Sequence, residues 1–218
     1  MKNEKNKKKN EKGKNEIKEK IEKIKVIMLG ESGVGKTCLI NAFITKKFNP
    51  AFSTISPSYN SKILKIGNKT YDIHLWDTAG QEKFRSVSKL FIKDSQIVIF
   101  VYDITNEATL TELSFWVKYV EELLGKDVVF GVAGNKIDLF DSSDNNKIVT
   151  KKEGEVYANE IGAAIFRETS AKEDPEGFIS FVEELIKKFE LCRKETKNDW
   201  EVYSLRKIKK NQKRDSFC

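Results

Sequence analysis

Hydrophobic side chains are sparse through the first twenty or so positions, a Lys/Asn/Glu-rich stretch, and then arrive together in IKVIMLG, Ile24 to Gly30. So little apolar surface cannot offset the entropy of ordering a chain, so residues 1–22 are expected to form a disordered extension. The run at Ile24 reads as a strand. It ends in a glycine-rich loop and passes into TCLINAFITKKF, whose apolar positions recur at helical spacing. Two alternating segments follow, YNSKILKI and KTYDIHLW, and Gly67-Asn68 between them signals a hairpin. Farther along, QIVIFVYD, DVVFGVAGNK and AAIFRETS are continuous apolar runs of the kind buried on both faces of a parallel sheet. TLTELSFWVKYVEELL, TKKEGEVYANEIG and EGFISFVEELIKKFELC place apolar residues three and four apart, as helices do.

Strands that alternate with helices predict an α/β fold: one open, mostly parallel sheet with helices on both faces and ligands at the carboxyl ends of the strands. A chain of 218 residues fits one such domain with room for tails, and residues 23–190 are assigned to it. Residues 191–218 mix charge with scattered apolar positions and show no sustained period, so they are expected to be a basic tail with a short helix around Trp200 to Leu205.

Charge sharpens this division. Met1 to Lys25 carry eleven Lys against five Glu, and Leu191 to Cys218 nine Lys and Arg against four acids, so the +7 of the whole chain leaves the middle mildly acidic. Basic ends on an acidic domain suit solvated tails or attraction to an anionic membrane surface rather than a nucleic-acid face. No apolar run is long enough to span a bilayer or to serve as a secretory signal, and the expectation is a cytoplasmic protein. Cys38, Cys192 and Cys218 are too few and too widely spaced for a disulfide framework or a metal site. Cys38 is expected to be core.

GESGVGKT, Gly30 to Thr37, has the G-x-x-x-x-G-K-[ST] form, between a predicted strand and a predicted helix as a phosphate loop requires. Gly30, Gly33 and Gly35 let backbone N–H groups converge on phosphate oxygens at a helix N-terminus, and Ser32, Val34 and Cys38 belong to the same cradle. Lys36 is placed on the β- and γ-phosphate oxygens, and Thr37 on Mg2+. The loop alone does not distinguish GTP from ATP.

NKID, Asn135 to Asp138, makes that distinction at the end of the fifth strand. Guanine presents two adjacent donors, N1–H and the N2 amine, and a carboxylate at Asp138 offers two acceptors to match; adenine lacks the pair. Asn135 is assigned to bridging the base and the phosphate loop, and the Lys136 stem to covering the ring. In ETSAK, Glu168 to Lys172, the Ala171 N–H is placed on the guanine oxygen, Ser170 braces the loop, and Lys172 is counted among the nucleotide-binding residues. In WDTAGQEKF, Asp77 is expected to hold Mg2+ through water, the Gly80 N–H to meet the γ-phosphate, and Gln81 to orient the attacking water. Thr54 is the candidate second Mg2+ ligand, and Phe48 the aromatic edge against the base.

In this order and at these spacings, GESGVGKT, WDTAGQEKFRS, VYDIT, AGNKIDL and ETSAK resemble the Ras superfamily of small GTPases, and within it the Rab family. The resemblance covers about Lys23 to Glu190. It implies a six-stranded sheet, GTP/GDP binding with Mg2+, exchange factors, GTPase-activating proteins, a GDP-dissociation inhibitor, effectors at the switch regions, and a role in vesicle traffic on the cytosolic face of a membrane. The first switch departs from the family: Thr54-Ile55 is followed by Ser56, Pro57, Ser58 and Tyr59, and the interval from Phe48 to Thr54 is one residue shorter. Rabs are lipidated at terminal cysteines, usually a pair, so Cys218 is a candidate for a single prenyl chain, with an unmodified thiol as the alternative. Two other classes compete with the switch: a phosphate-loop enzyme acting on ATP, against which the guanine contacts argue, and a nucleotide-bound scaffold without turnover.

Overall fold

The computed structural model describes residues 20–51, 54, 58–78, 85–125, 128–140 and 149–215, with 85–88 and 196–215 given as backbone only. Six strands, β1 (Ile21–Leu29), β2 (Ser58–Ile66), β3 (Lys69–Asp77), β4 (Ile97–Asp103), β5 (Val129–Asn135) and β6 (Ile165–Thr169), form one sheet in the order β2-β3-β1-β4-β5-β6. Only the β2–β3 hairpin is antiparallel, and it turns at Gly67-Asn68. The order reverses beside β1, so the crevice between the ends of β1 and β4 is where this architecture binds ligands.

Strand alternation sends successive side chains to two cores. From β4, Ile97, Ile99 and Val101 join Val26 and Met28 of β1 under α1 (Lys36–Thr45) and α6 (Pro175–Asp215), with Phe43, Phe178 and Phe181 filling the layer. Val98, Phe100 and Tyr102 face the other way. They meet Ile27 and Leu29, and are covered by Ile92 of α2 (Arg85–Ile92), Trp116 of α4 (Leu113–Leu124) and Ala158 of α5 (Lys151–Glu160). A short α3 (Glu107–Thr111) precedes α4, so the predicted single helix from Thr109 breaks at Glu112.

Two boundaries differ from expectation. β1 begins at Ile21 rather than Ile24, pairing with β3 from Ile21 opposite Thr70. The final helix runs unbroken to Asp215, well beyond the short helix expected around Trp200 to Leu205. No Gly or Pro interrupts the chain between Phe178 and Asp215, and its Lys, Arg, Glu and Leu are strong helix formers. Both departures meet in one ion-pair ring: the Lys69 ammonium lies 3.0 Å from Glu22 and 2.5 Å from Glu190, and the Arg193 guanidinium 2.9 Å and 3.4 Å from the same two carboxylates. Hydrogen bonds from Lys69 and Arg193 hold the Glu22 carboxyl below its usual range.

Candidate nucleotide site

At the carboxyl end of β1 the chain passes so close to β4 that a Cβ on Gly30 would lie 2.1 Å from the Val101 carbonyl oxygen. Only glycine fits there, and its φ of +146° lies in the region side chains avoid. The loop ends at Gly35, whose φ of +98° starts α1 and whose absent Cβ leaves room for the Asn135 amide. Lys36, 5% exposed, folds back over the loop, and its Nζ donates to the Gly30 and Glu31 carbonyls at 2.8 Å each. Burial depresses this ammonium to about 8, against the opposing charges of Asp77 and Glu31. Val34 is wholly buried and packs into the core, whereas Cys38, expected to be core, is half-buried and lines the cavity as well.

Thr37, Thr54 and Asp77 converge from α1, the following loop and the end of β3. Thr37 Oγ1 donates to Asp77 Oδ2 at 2.6 Å, the two threonine hydroxyls are 2.7 Å apart, and Thr54 Oγ1 donates to the same carboxylate oxygen at 3.4 Å. Burial raises the Asp77 carboxyl above its ordinary range, against hydrogen bonds from Thr37 and the charge of Lys36. Its Oδ1 is buried without a hydrogen-bond partner. Two hydroxyls beside an unpaired carboxylate oxygen are hard donors of the kind Mg2+ takes, and the described residues hold no cluster of three His, Cys, Asp or Glu that would serve another metal. The shortened interval therefore keeps both residues at the site, with Thr54 on Thr37 and Phe48 on the cavity wall.

The other end of the cavity is built from β5 and the loop after β6. Asn135, 1% exposed, donates through Nδ2 to the Val34 carbonyl at 2.8 Å and accepts from Thr169 Oγ1 at 3.2 Å. Lys136 has φ +70° and extends its ammonium to Asp103 Oδ2 at 2.6 Å. Ser170 donates to Asp138 Oδ1 at 2.7 Å, and its hydroxyl accepts from the backbone N–H groups of Lys172 and Glu173. Between these groups lies a cavity of about 520 Å³ lined by Ser32, Gly33, Gly35 to Cys38, Phe48, Thr54, Asn135, Lys136, Asp138, Ala171 and Lys172. Gly80, Gln81 and Cys218 lie outside the described residues.

Sequence reasoning missed several neighbours. Thr78 lines the cavity and ties the end of β3 to β1 by donating to the Met28 carbonyl at 2.7 Å; its place after Asp77 was the available signal. Pro50, Ala51 and Leu139 add apolar wall. Tyr59 stacks on His74 at 5.7 Å and on Trp76 at 5.3 Å, and Trp76 tilts against Phe91 at 5.5 Å, making an aromatic cluster across β2, β3 and α2. The alternation of Tyr59 with Ser61, and of Asp72 with His74 and Trp76, is the pattern that places these rings on one face.

The fold and this cavity define a phosphate-loop nucleotide-binding protein of the doubly wound class. The Ras family profile matches residues 25–190. Over 152 residues, 69% of this chain and 68% of the relative, the sequence is 39% identical to Ras-related protein SEC4 of Saccharomyces cerevisiae. It is 37% identical over 171 residues to Ras-related protein Rab-21 of Homo sapiens, covering 78% of this chain and 71% of the relative. The Rab-21 of Geodia cydonium is 40% identical over 152 residues, 69% of this chain and 64% of the relative. The chain belongs to the Ras family and is a Rab-like small GTPase.

Proposed function

We propose that this chain is a Mg2+-dependent GTP/GDP switch that acts in vesicle traffic at the cytosolic face of an intracellular membrane. The observation that carries the proposal is that one cavity joins a hard-oxygen cluster, Thr37, Thr54 and Asp77 with its orphaned Oδ1, to a base-reading end at Asn135, Asp138 and Ala171. Guanine is read by Asp138, whose carboxylate is fixed by Ser170, while Asn135 locks that end to the phosphate loop. Lys36 turns its ammonium from the loop carbonyls to phosphate oxygens. Thr37, Thr54 and Asp77 hold Mg2+, which when bound neutralises phosphate charge. Gln81 orients the attacking water and Gly80 contacts the γ-phosphate.

Nucleotide state is read out at the segment holding Thr54 and at the adjoining stack of Tyr59, Trp76 and Phe91, where effectors, exchange factors, GTPase-activating proteins and a GDP-dissociation inhibitor engage. Among the described residues no helix is long and apolar enough to cross a membrane. Attachment is peripheral, through the basic residues 191–218 and a prenyl group on Cys218, two weak signals that together give reversible binding.

No Arg lies between Phe48 and Tyr59, so an arginine finger arrives only in trans. The purified chain is expected to hydrolyse GTP with Mg2+ at a rate on the order of 10⁻⁴ s⁻¹, rising about 10³- to 10⁵-fold with a partner that supplies an Arg. Single-turnover phosphate release with Mg2+ and with excess EDTA measures this. A rate that ignores EDTA, or an intrinsic rate on the order of 1 s⁻¹, contradicts the proposal.

A further inference from the structure

Asp103 ends β4 directly opposite Asn135 of β5, so the sheet register brings an acidic side chain beside the base-reading loop from a strand remote in sequence. Its two oxygens are divided between two tasks. Oδ1 accepts from the Thr105 N–H at 2.9 Å and the Thr105 hydroxyl at 2.7 Å, which fixes the carboxylate plane. Oδ2 is left for the Lys136 ammonium at 2.6 Å. The backbone is held as firmly: the Asp103 N–H donates to Thr109 Oγ1 at 2.9 Å, and its carbonyl accepts from the Asn106 N–H at 3.0 Å. Asp103 is 8% exposed.

Lys136 lines the cavity between Asn135 and Asp138, its backbone in the left-handed region at φ +70°. A free lysine stem samples many rotamers, and ordering them when a ligand arrives weakens binding. Pinning the ammonium to a rigid carboxylate orders the stem before the ligand arrives. The geometry points to Asp103 as a positioning residue for guanine nucleotide: it acts through Lys136, whose ordered stem forms a preformed wall for the base. This rests on the guanine-nucleotide reading of the cavity. The β4 aspartate thereby becomes part of nucleotide retention although it does not line the cavity.

The test is the dissociation rate of a fluorescent GDP analogue from the full chain, chased with unlabelled GDP in Mg2+, for wild type, Asp103→Asn, Lys136→Met and the double variant. Asp103→Asn should release the analogue on the order of tenfold faster, the scale of one lost charge-assisted hydrogen bond. In the Lys136→Met background the same substitution should change the rate less than twofold, and Asp103→Glu, which keeps the charge, should fall between wild type and Asp103→Asn. If Asp103→Asn does not fold, Asp103→Glu enters the cycle in its place. An equal acceleration with and without Lys136 overturns the inference, because Asp103 would then act on the fold through Thr105 and Thr109. No acceleration in either background also overturns it. A wild-type chain that does not retain the analogue at all is a separate result, which overturns the reading of the cavity together with the inference.

Discussion

Lys36 is charged in a place that disfavours charge. Unfolded, it keeps its proton up to about 10.5; folded, only to about 8. Between those values the unfolded chain binds more protons, so the nucleotide-free protein gains stability as pH rises from 8 toward 10.5, and below 8 Lys36 contributes no pH dependence. Phosphate oxygens favour the ammonium, so GDP binding above pH 8 takes up a proton and weakens as pH rises. The expected fall in affinity approaches tenfold per pH unit above 8, and Lys36→Met abolishes it. Isothermal titration of GDP between pH 7 and 9.5 measures this, and a flat profile in wild type contradicts it. The cavity residues Lys36, Thr37, Asn135 and Asp138, and Asp77 bonded to Thr37, were legible in sequence because their motifs are contiguous and sit at strand ends. Asp103 was given no role there: VYDIT helps carry the family resemblance, but only the pairing of β4 with β5 sets its aspartate beside Lys136.

At the scale of elements, the phosphate loop is only as firm as the helix it opens. α1 is held against α6 by Phe43 meeting Phe178 edge-on at 6.4 Å and 81°, with both rings fully buried. Phe178→Ala is expected to cost about 3–5 kcal/mol of stability through lost burial and the cavity it leaves. Urea unfolding of the nucleotide-free chain checks this, and a loss below about 1 kcal/mol would show that α6 does not brace α1. β1, β4 and β5 were readable as continuous apolar runs because each sends alternate residues to two cores, and β2 and β3 as alternating segments split by Gly67-Asn68. α2 was not recognised: Val87, Leu90 and Phe91 are spaced three and four apart, but a segment of eight residues is too short for helical periodicity to stand out. The full length of α6 was missed beyond a short helix around Trp200 to Leu205, because charged and apolar residues are mixed along its end without a sustained period.

For the whole molecule, folding, base recognition and phosphate binding are linked in one equilibrium, since Asn135 joins the phosphate loop to β6 while Ser170 joins β6 to Asp138. A ligand that binds only the folded chain stabilises it by about 4 kcal/mol at a thousandfold excess over Kd, worth roughly 8–16 °C for a domain of this size. Asp138→Asn replaces an acceptor with an amide donor that faces the N2 amine of guanine, whereas xanthine carries an oxygen there. The most direct test is thermal unfolding of wild type and Asp138→Asn in Mg2+ with GDP, XDP or ADP. Wild type should be stabilised by GDP and not by ADP, and the variant should lose most of its response to GDP and gain one to XDP. A variant that keeps its preference for GDP would show that guanine is read by some residue other than Asp138.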